Sequence, residues 1–327
     1  MTAKVFYPRQ VLLSLLGAVF GACYVAASDA MTRKATMLSG ANPCAGQKEA
    51  KTSTFKNKAC EINGVINTVE QAGANVTKGY NGSLVSKSTG PITDPYWKAG
   101  LCPVNVHWHL GAEHFSAGQY DNDGTGPAEA SGRKLLAAAG SSVRRGFRCK
   151  MYNANTPKFT KPYDWKHCVG MVVGETYEVH WPHSAAGACG TVDQFQTPFY
   201  DGVFCKDDFA PTNKKIGVQS QVFTIVNDEN YYYPNLMRGM IVDADRGQDL
   251  AMYTGSTTGT TRSNTICSAY APITWQVDRK CHLISASSFD KMCADMKANR
   301  DDMSEDLYAH GSRELVADKY AANNHAN

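Results

Sequence analysis

The sequence predicts a mainly β protein with a minor helical component, folded as a single domain. Three observations carry that expectation. Apolar and polar residues alternate over several short stretches, the period of a strand with one buried face. Gly, Pro, Asn and Asp cluster between those stretches, where turns are needed. No composition shift or internal repeat divides the 327 residues, a length that one large domain accommodates.

Taken in order, residues 1–30 read as a signal peptide or N-terminal membrane anchor. Lys4 and Arg9 precede an apolar run from Val11 to Ala27, and Ser28-Asp29-Ala30 follows. Left uncleaved, residues 11–27 are about long enough for a marginal membrane span. Residues 31–90, rich in Thr, Ser, Lys, Asn and Gly, read as an irregular lead-in tethered through Cys44 and Cys60. The main domain is expected over 91–316, with a polar tail over 317–327. Val104 to Leu110 alternates as a strand. Asp121 to Pro127 is a turn-rich loop that lacks the spacing of a calcium-binding hand. Arg133 to Ala139 suggests a short helix ended by Gly140. Val169 to Val173 and Thr176 to Trp181 read as strands around Gly174. Gln221 to Val226 is a further strand, and Leu236 to Val242, broken at Gly239, suggests another. Ile273 to Val277 alternates, and Leu283 to Ser285 extends the pattern. Phe289, Met292, Cys293 and Met296 then recur at helical spacing behind an N-cap at Ser288, as a core-facing stripe.

Composition narrows the function. With 43% hydrophobic and 19% charged residues the chain has ordinary globular content, and a net charge of +3 gives no reason to expect a nucleic-acid partner. Arg144, Arg145 and Arg148 read as a solvated loop, since no Gly-rich phosphate loop precedes a helix. Eleven cysteines occur without a C-x-x-C pair. Setting aside Cys23 in the apolar run leaves ten, as expected of disulfides formed in an oxidising compartment. Asn75-Val76-Thr77 and Asn81-Gly82-Ser83 are glycosylation sequons if a eukaryote secretes the chain.

The chemistry concentrates in Val104-Asn105-Val106-His107-Trp108-His109-Leu110-Gly111-Ala112-Glu113-His114. Residues two apart on a strand share a face, so His107 and His109 project together while Val106 and Trp108 pack behind them. Tyr177-Glu178-Val179-His180-Trp181-Pro182-His183 answers this, with Glu178 and His180 sharing a face. Pairing the two strands lets His180 complete a three-histidine set with an open fourth position, the pattern of a catalytic metal site. Such a neutral set suits zinc, cobalt or a related divalent ion. Glu113 or Glu178 can hold the far nitrogen of a ligand histidine. His114 and His183 remain alternatives for the third ligand, or proton shuttles, or surface residues. His167, His282, His310 and His325 lack any constellation. A competing reading takes His107-x-His109 with Glu113 as the first motif of a cupin, an iron or manganese oxygenase or isomerase. The second cupin motif has no counterpart here.

In three stretches the chain resembles the delta-class carbonic anhydrases of marine phytoplankton. They are Cys102 to His114, Gly174 to Ser184, and Tyr270 to Cys281. Motifs of the alpha class echo in the same places: His107-x-His109, Glu113-His114, Glu178-Val179-His180, Tyr253-Thr254-Gly255-Ser256-Thr257-Thr258, Thr274-Trp275, and Ile284 to Ser288. The resemblance implies one domain around a large, mostly antiparallel central sheet with short peripheral helices. It implies reversible hydration of carbon dioxide to bicarbonate and a proton by metal-hydroxide attack, in support of inorganic carbon supply. It implies zinc, with cobalt or cadmium as substitutes, on His107, His109 and His180, with Glu178 behind them. Glu113 with Thr258 or Thr257 would then orient the nucleophile, and His114 or His183 would pass the proton on. Val106, Val179 and Trp275 are candidates for an apolar CO2 wall, but strand alternation places Val106 opposite the ligands, so no wall is assigned. The partner is the small-molecule substrate, the compartment extracytosolic (secreted, cell-surface, periplasmic or an organelle lumen), and the oligomeric state is not indicated. A non-catalytic relative used in assembly would keep the fold without turnover.

Overall fold

The computed structural model describes residues 57–60, 69–82, 84–85, 90–127, 144–185, 211–242, 249–256, 266–268, 272–299, 306–313, 315–317 and 322–323. In chain order the elements are β1 (Asn57–Ala59), β2 (Leu84–Val85), β3 (Cys102–Pro103), β4 (His107–Leu110), β5 (Tyr120–Asp121), β6 (Arg148–Cys149), α1 (Pro157–Thr160), β7 (Thr176–Ser184), β8 (Ile216–Val226), β9 (Leu250–Gly255), β10 (Ile266–Ser268), β11 (Ile273–Ser285), α2 (Ala286–Asn299) and β12 (Ala322–Asn323). A six-stranded sheet in the order β3-β7-β8-β11-β9, with β4 also on β7, forms the centre. Every pairing in it is antiparallel except β8 with β11. The fold is therefore mainly β around a mixed, mostly antiparallel sheet, as the sequence predicts.

Strand alternation gives the sheet two faces, and both are covered. Tyr177, Val179 and Trp181 of β7 point with Val106 and Trp108 into a core closed by Phe289, Met292, Cys293 and Met296 of α2. The opposite face carries Val218, Val222, Ala251, Tyr253, Trp275 and Val277, which form a second core. This is also the face of Glu178 and His180, because Ser220 and Val222 stand opposite them in register. Burying side chains of this size contributes roughly 1.5–3 kcal/mol each.

Several elements differ from expectation for identifiable reasons. Val169 to Val173 forms no strand. Met171 and Val173 are buried instead as a plug beneath the turn at Gly174. Gly174 has φ +88°, and a Cβ there would meet the Phe159 carbonyl oxygen at 2.5 Å. Leu236 to Val242 is a single 3-10 turn over Leu236–Arg238 followed by irregular chain, and the Leu236 carbonyl accepts from Trp181 Nε1 at 2.9 Å. The two stretches after Ile273 are one strand, with a register shift between Val277 and Cys281. Buried Asp278 stabilises that irregularity by accepting from Gln221 Nε2 at 2.8 Å and from the Lys280 amide at 2.9 Å. Helix α2 begins at Ala286, before the expected cap. Ser285 Oγ accepts from the Ser288 amide at 3.2 Å, so Ser285 is the cap and Ser288 lies inside the first turn. Arg145 and Arg148 are not a solvated loop, because both reach the buried Glu175 carboxylate, at 2.7 and 3.3 Å. The Asp121 loop is a plain turn, its carboxylate accepting from the amides of Gly118 and Asp123. Disulfides Cys149–Cys281 and Cys168–Cys293 tie β6 to β11 and the loop before β7 to α2. The apolar run 11–27 and the expected helix 133–139 lie outside the described residues. Among the described residues no helix is long and apolar enough to cross a membrane.

Candidate metal centre

Strands β4 and β7 run antiparallel with His107 opposite His180 and His109 opposite Glu178. That register brings ring nitrogens of His107, His109 and His180 within 4.8 Å of one another. All three residues are buried, with ring centroids 4.5 to 5.3 Å apart. Gly111, at φ +77°, ends β4 where its missing Cβ lets the Gly146–Phe147 backbone approach, and the chain turns back to place Glu113 and His114.

Each imidazole is held from behind. His107 Nδ1 lies 2.5 Å from Asn105 Oδ1, and Asn105 Nδ2 donates to Asp306 Oδ2 at 3.2 Å, which fixes the orientation of the amide. His109 Nδ1 lies 3.1 Å from the Gly311 carbonyl oxygen. Both acceptors lack a hydrogen to give, so each ring carries its proton on Nδ1 and its lone pair on Nε2. His109 Nε2 is buried and has no hydrogen-bond partner among the described residues. His180 Nε2 lies 3.3 Å from Glu178 Oε2, close enough for charge attraction without hydrogen-bond alignment.

Burial, reinforced by the neighbouring rings of His109, His310 and His180, pushes His107 well below the ordinary imidazole range. Burial likewise pulls His109 down to about 4, outweighing the nearby Glu113 carboxylate. Both rings are thus neutral near pH 7, the form with a lone pair for a metal. Glu113, Glu178 and His180 form a second convergent group. Its carboxylates are already engaged, which favours the three imidazoles as the ligand set. Glu178 accepts from the Glu113 amide and from His114 Nδ1, both at 2.7 Å, and from Ser220 Oγ. Burial would raise its carboxyl, but His114 and His180 beside it hold it well below the usual range. Glu113 accepts from the Arg313 amide at 2.6 Å and from Arg313 Nε at 2.8 Å. Burial opposes its charge too, and Arg313 foremost keeps the carboxyl well below the usual range.

The remaining expected residues divide. His114 is buried in the Glu178 network rather than open to solvent. His183 lies on the opposite face of β7 from His180, its Nδ1 2.7 Å from the Trp181 carbonyl oxygen and its ring against Tyr96. The structure does not bring His183 to the cluster. Thr257 and Thr258 lie outside the described residues. Val106 and Val179 face the other core, whereas the Trp275 ring stands 5.1 Å from that of His180. Sequence reasoning missed Asn105, which shares a face with His107 and was legible on that ground. It also missed Gly311, Arg313 and His310, which no local pattern marks. His310, which lacks any constellation in the sequence, stacks on His107 with centroids 5.2 Å apart, and its half-buried ring reaches Asp306 at 2.9 Å.

Comparison with known families returns a match to the family described as Delta carbonic anhydrase over residues 98–288, more than half of the chain. A search of curated proteins found no match. The matched segment contains His107, His109, Glu113, His114, Glu178 and His180, and it ends before Arg313. Carbonic anhydrase chemistry of this family implies a metal, and the buried imidazoles have the donor set and protonation to hold one. By the extent of that match the chain belongs to the delta carbonic anhydrase family, and it is a carbonic anhydrase enzyme.

Proposed function

We propose that the protein hydrates carbon dioxide reversibly with zinc held by His107, His109 and His180, and that it serves inorganic carbon supply. The observation that carries this reading is the β4–β7 register, which sets three buried imidazoles side by side. Zinc bound there would supply the Lewis acidity that makes water a nucleophile near neutral pH. The chain's own groups do the rest. Asn105 and the Gly311 carbonyl fix the Nδ1–H tautomers of His107 and His109 and so present Nε2. His180, with Glu178 3.3 Å from its Nε2, completes the set of three imidazoles. Glu178 balances the group electrostatically, and its bonds to His114, Ser220 and the Glu113 amide keep β7 in place behind the imidazoles.

Glu113 is the acceptor proposed to orient the attacking hydroxyl through Thr258 or Thr257, which follow Ser256 directly. Ser256 is joined to Glu113 through Arg313. Trp275 supplies an apolar wall beside His180. An extracytosolic setting, secreted or luminal, is supported by Cys149–Cys281 and Cys168–Cys293, since disulfides persist under oxidising conditions. The cupin reading is disfavoured because it needs Glu113 as a ligand, and both of its oxygens already accept from Arg313. The test is stopped-flow CO2 hydration before and after chelation. Activity lost with the metal and restored by zinc supports the proposal. Full activity in metal-free protein, or restoration by iron but not zinc, would overturn it.

A further inference from the structure

Arg313 lies 25 residues beyond the end of the family match, yet its guanidinium pairs with Glu113 beside the imidazoles. It is buried. Its Nε donates to Glu113 Oε2 at 2.8 Å, and its backbone amide donates to Glu113 Oε1 at 2.6 Å. Its Nη1 donates to the Ser256 carbonyl oxygen at 3.2 Å and to Ser256 Oγ at 3.1 Å. The guanidinium carbon Cζ lies over the Trp275 ring, 5.6 Å from its centroid, and Trp275 Nε1 donates to the same Ser256 carbonyl at 3.2 Å. One planar cation therefore joins the carboxylate at the end of β4 to the end of β9, immediately before Thr257 and Thr258. Both elements are fixed in distance and in orientation.

We infer that Arg313 is a positioning residue of the reaction, acting through Glu113 and the Ser256 loop. This rests on the proposed role of Glu113 in orienting the nucleophile. The carboxylate touches His109 Nδ1 at 3.5 Å on one side and Arg313 on the other. The guanidinium is the foremost countercharge to Glu113, ahead of His109 and His180, and with the Arg313 amide it holds both carboxylate oxygens. A lysine keeps the charge but lacks the fork that reaches Glu113 and Ser256 together. The Arg313 amide and its side chain act on one carboxylate, so only the side-chain share is removable by substitution.

The experiment is a double-mutant cycle on the zinc-loaded protein, comparing the unsubstituted chain with Arg313→Ala, Glu113→Gln and the double variant in CO2 hydration. Arg313→Ala is expected to lower kcat about 10- to 100-fold, the range for groups that orient a metal site from outside it. KM and zinc content should stay within about twofold. In the Glu113→Gln background the same change is expected to cost less than about twofold, because the group it acts through is already gone. Equal losses in both backgrounds, or a loss expressed only in zinc content, would overturn the inference. If Arg313→Ala does not fold, Arg313→Lys carries the same cycle, with kcat still lowered. Full kcat in Arg313→Lys would overturn the role of the fork. No turnover by the unsubstituted zinc-loaded chain would overturn the proposed function itself, and this role with it.

Discussion

Nδ1 of His107 lies 2.5 Å from the Oδ1 of Asn105, two residues earlier on the same face of the chain. The contact leaves Nε2 of His107 as the lone-pair nitrogen. Asn105→Ala removes the acceptor while leaving the backbone course of β4 alone. Zinc affinity is expected to fall about 10- to 100-fold. Competition against a chelator of known affinity measures this directly, and an unchanged affinity would show that the tautomer is set by something else.

Glu178 is the buried hub behind the imidazoles, accepting from His114, Ser220 and the Glu113 amide. Glu178→Gln removes the charge and turns an acceptor into a donor at one of those contacts. Leaving buried donors unpaired costs roughly 1–3 kcal/mol each. A loss of about 3 kcal/mol is expected in urea unfolding of the metal-free variant, with the denaturant slope unchanged. A loss below roughly 1 kcal/mol would mean that the network relaxes around glutamine.

The metal-free protein should lose stability as pH falls from about 6.5 to 4. His109 titrates in the folded state near 4, below the ordinary imidazole value, because burial disfavours its charged form. Its contribution is therefore complete above about pH 6.5, where the ring is neutral folded or unfolded. Below that, the unfolded chain takes up a proton that the folded chain does not, and stability falls until about pH 4. The fall attributable to this ring is roughly 3 kcal/mol. His107, shifted in the same direction, adds to it. Glu113 and Glu178, whose carboxyls are held low, extend the loss below about pH 4. Urea titrations across that range, repeated with His109→Gln, should show a shallower dependence in the variant. An equal slope in both would contradict the assignment.

The two described disulfides close segments with sequence separations of 132 and 125 residues. In the chain-entropy view, each contributes up to about 5 kcal/mol by restricting the unfolded chain. Reduction under denaturing conditions is expected to prevent refolding in reductant and to permit it once oxidation is restored. Recovery of activity with all thiols reduced would show that the cores of the two sheet faces suffice alone.

What the sequence discloses follows the range of the interactions. The His107/His109 face and the Glu178/His180 face are readable because a strand repeats every two residues, and both lie within single strands. The helical stripe of Phe289 to Met296 is readable for the same local reason, although its cap moved to Ser285 once β11 ran unbroken into the helix. Val169 to Val173 misled because apolar content does not distinguish a strand from a buried plug. Tyr253, inside β9, is legible in the sequence as part of a motif and not as a strand. His310, Gly311 and Arg313 were out of reach altogether. They meet β4 because His310 pairs with it, its amide donating to the Trp108 carbonyl and its own carbonyl accepting from Leu110. Nothing within ten residues of them in sequence announces that pairing.

The most direct measurement of the central claim compares three single substitutions, His180→Ala, His183→Ala and His114→Ala, for zinc per chain and for CO2 hydration. The account predicts about one zinc per chain and full turnover for His183→Ala. It predicts zinc retained at lower affinity for His114→Ala, and loss of both zinc and turnover for His180→Ala alone. Zinc and activity surviving in His180→Ala would contradict it, since the register that sets His180 opposite His107 would then not be what assembles the site.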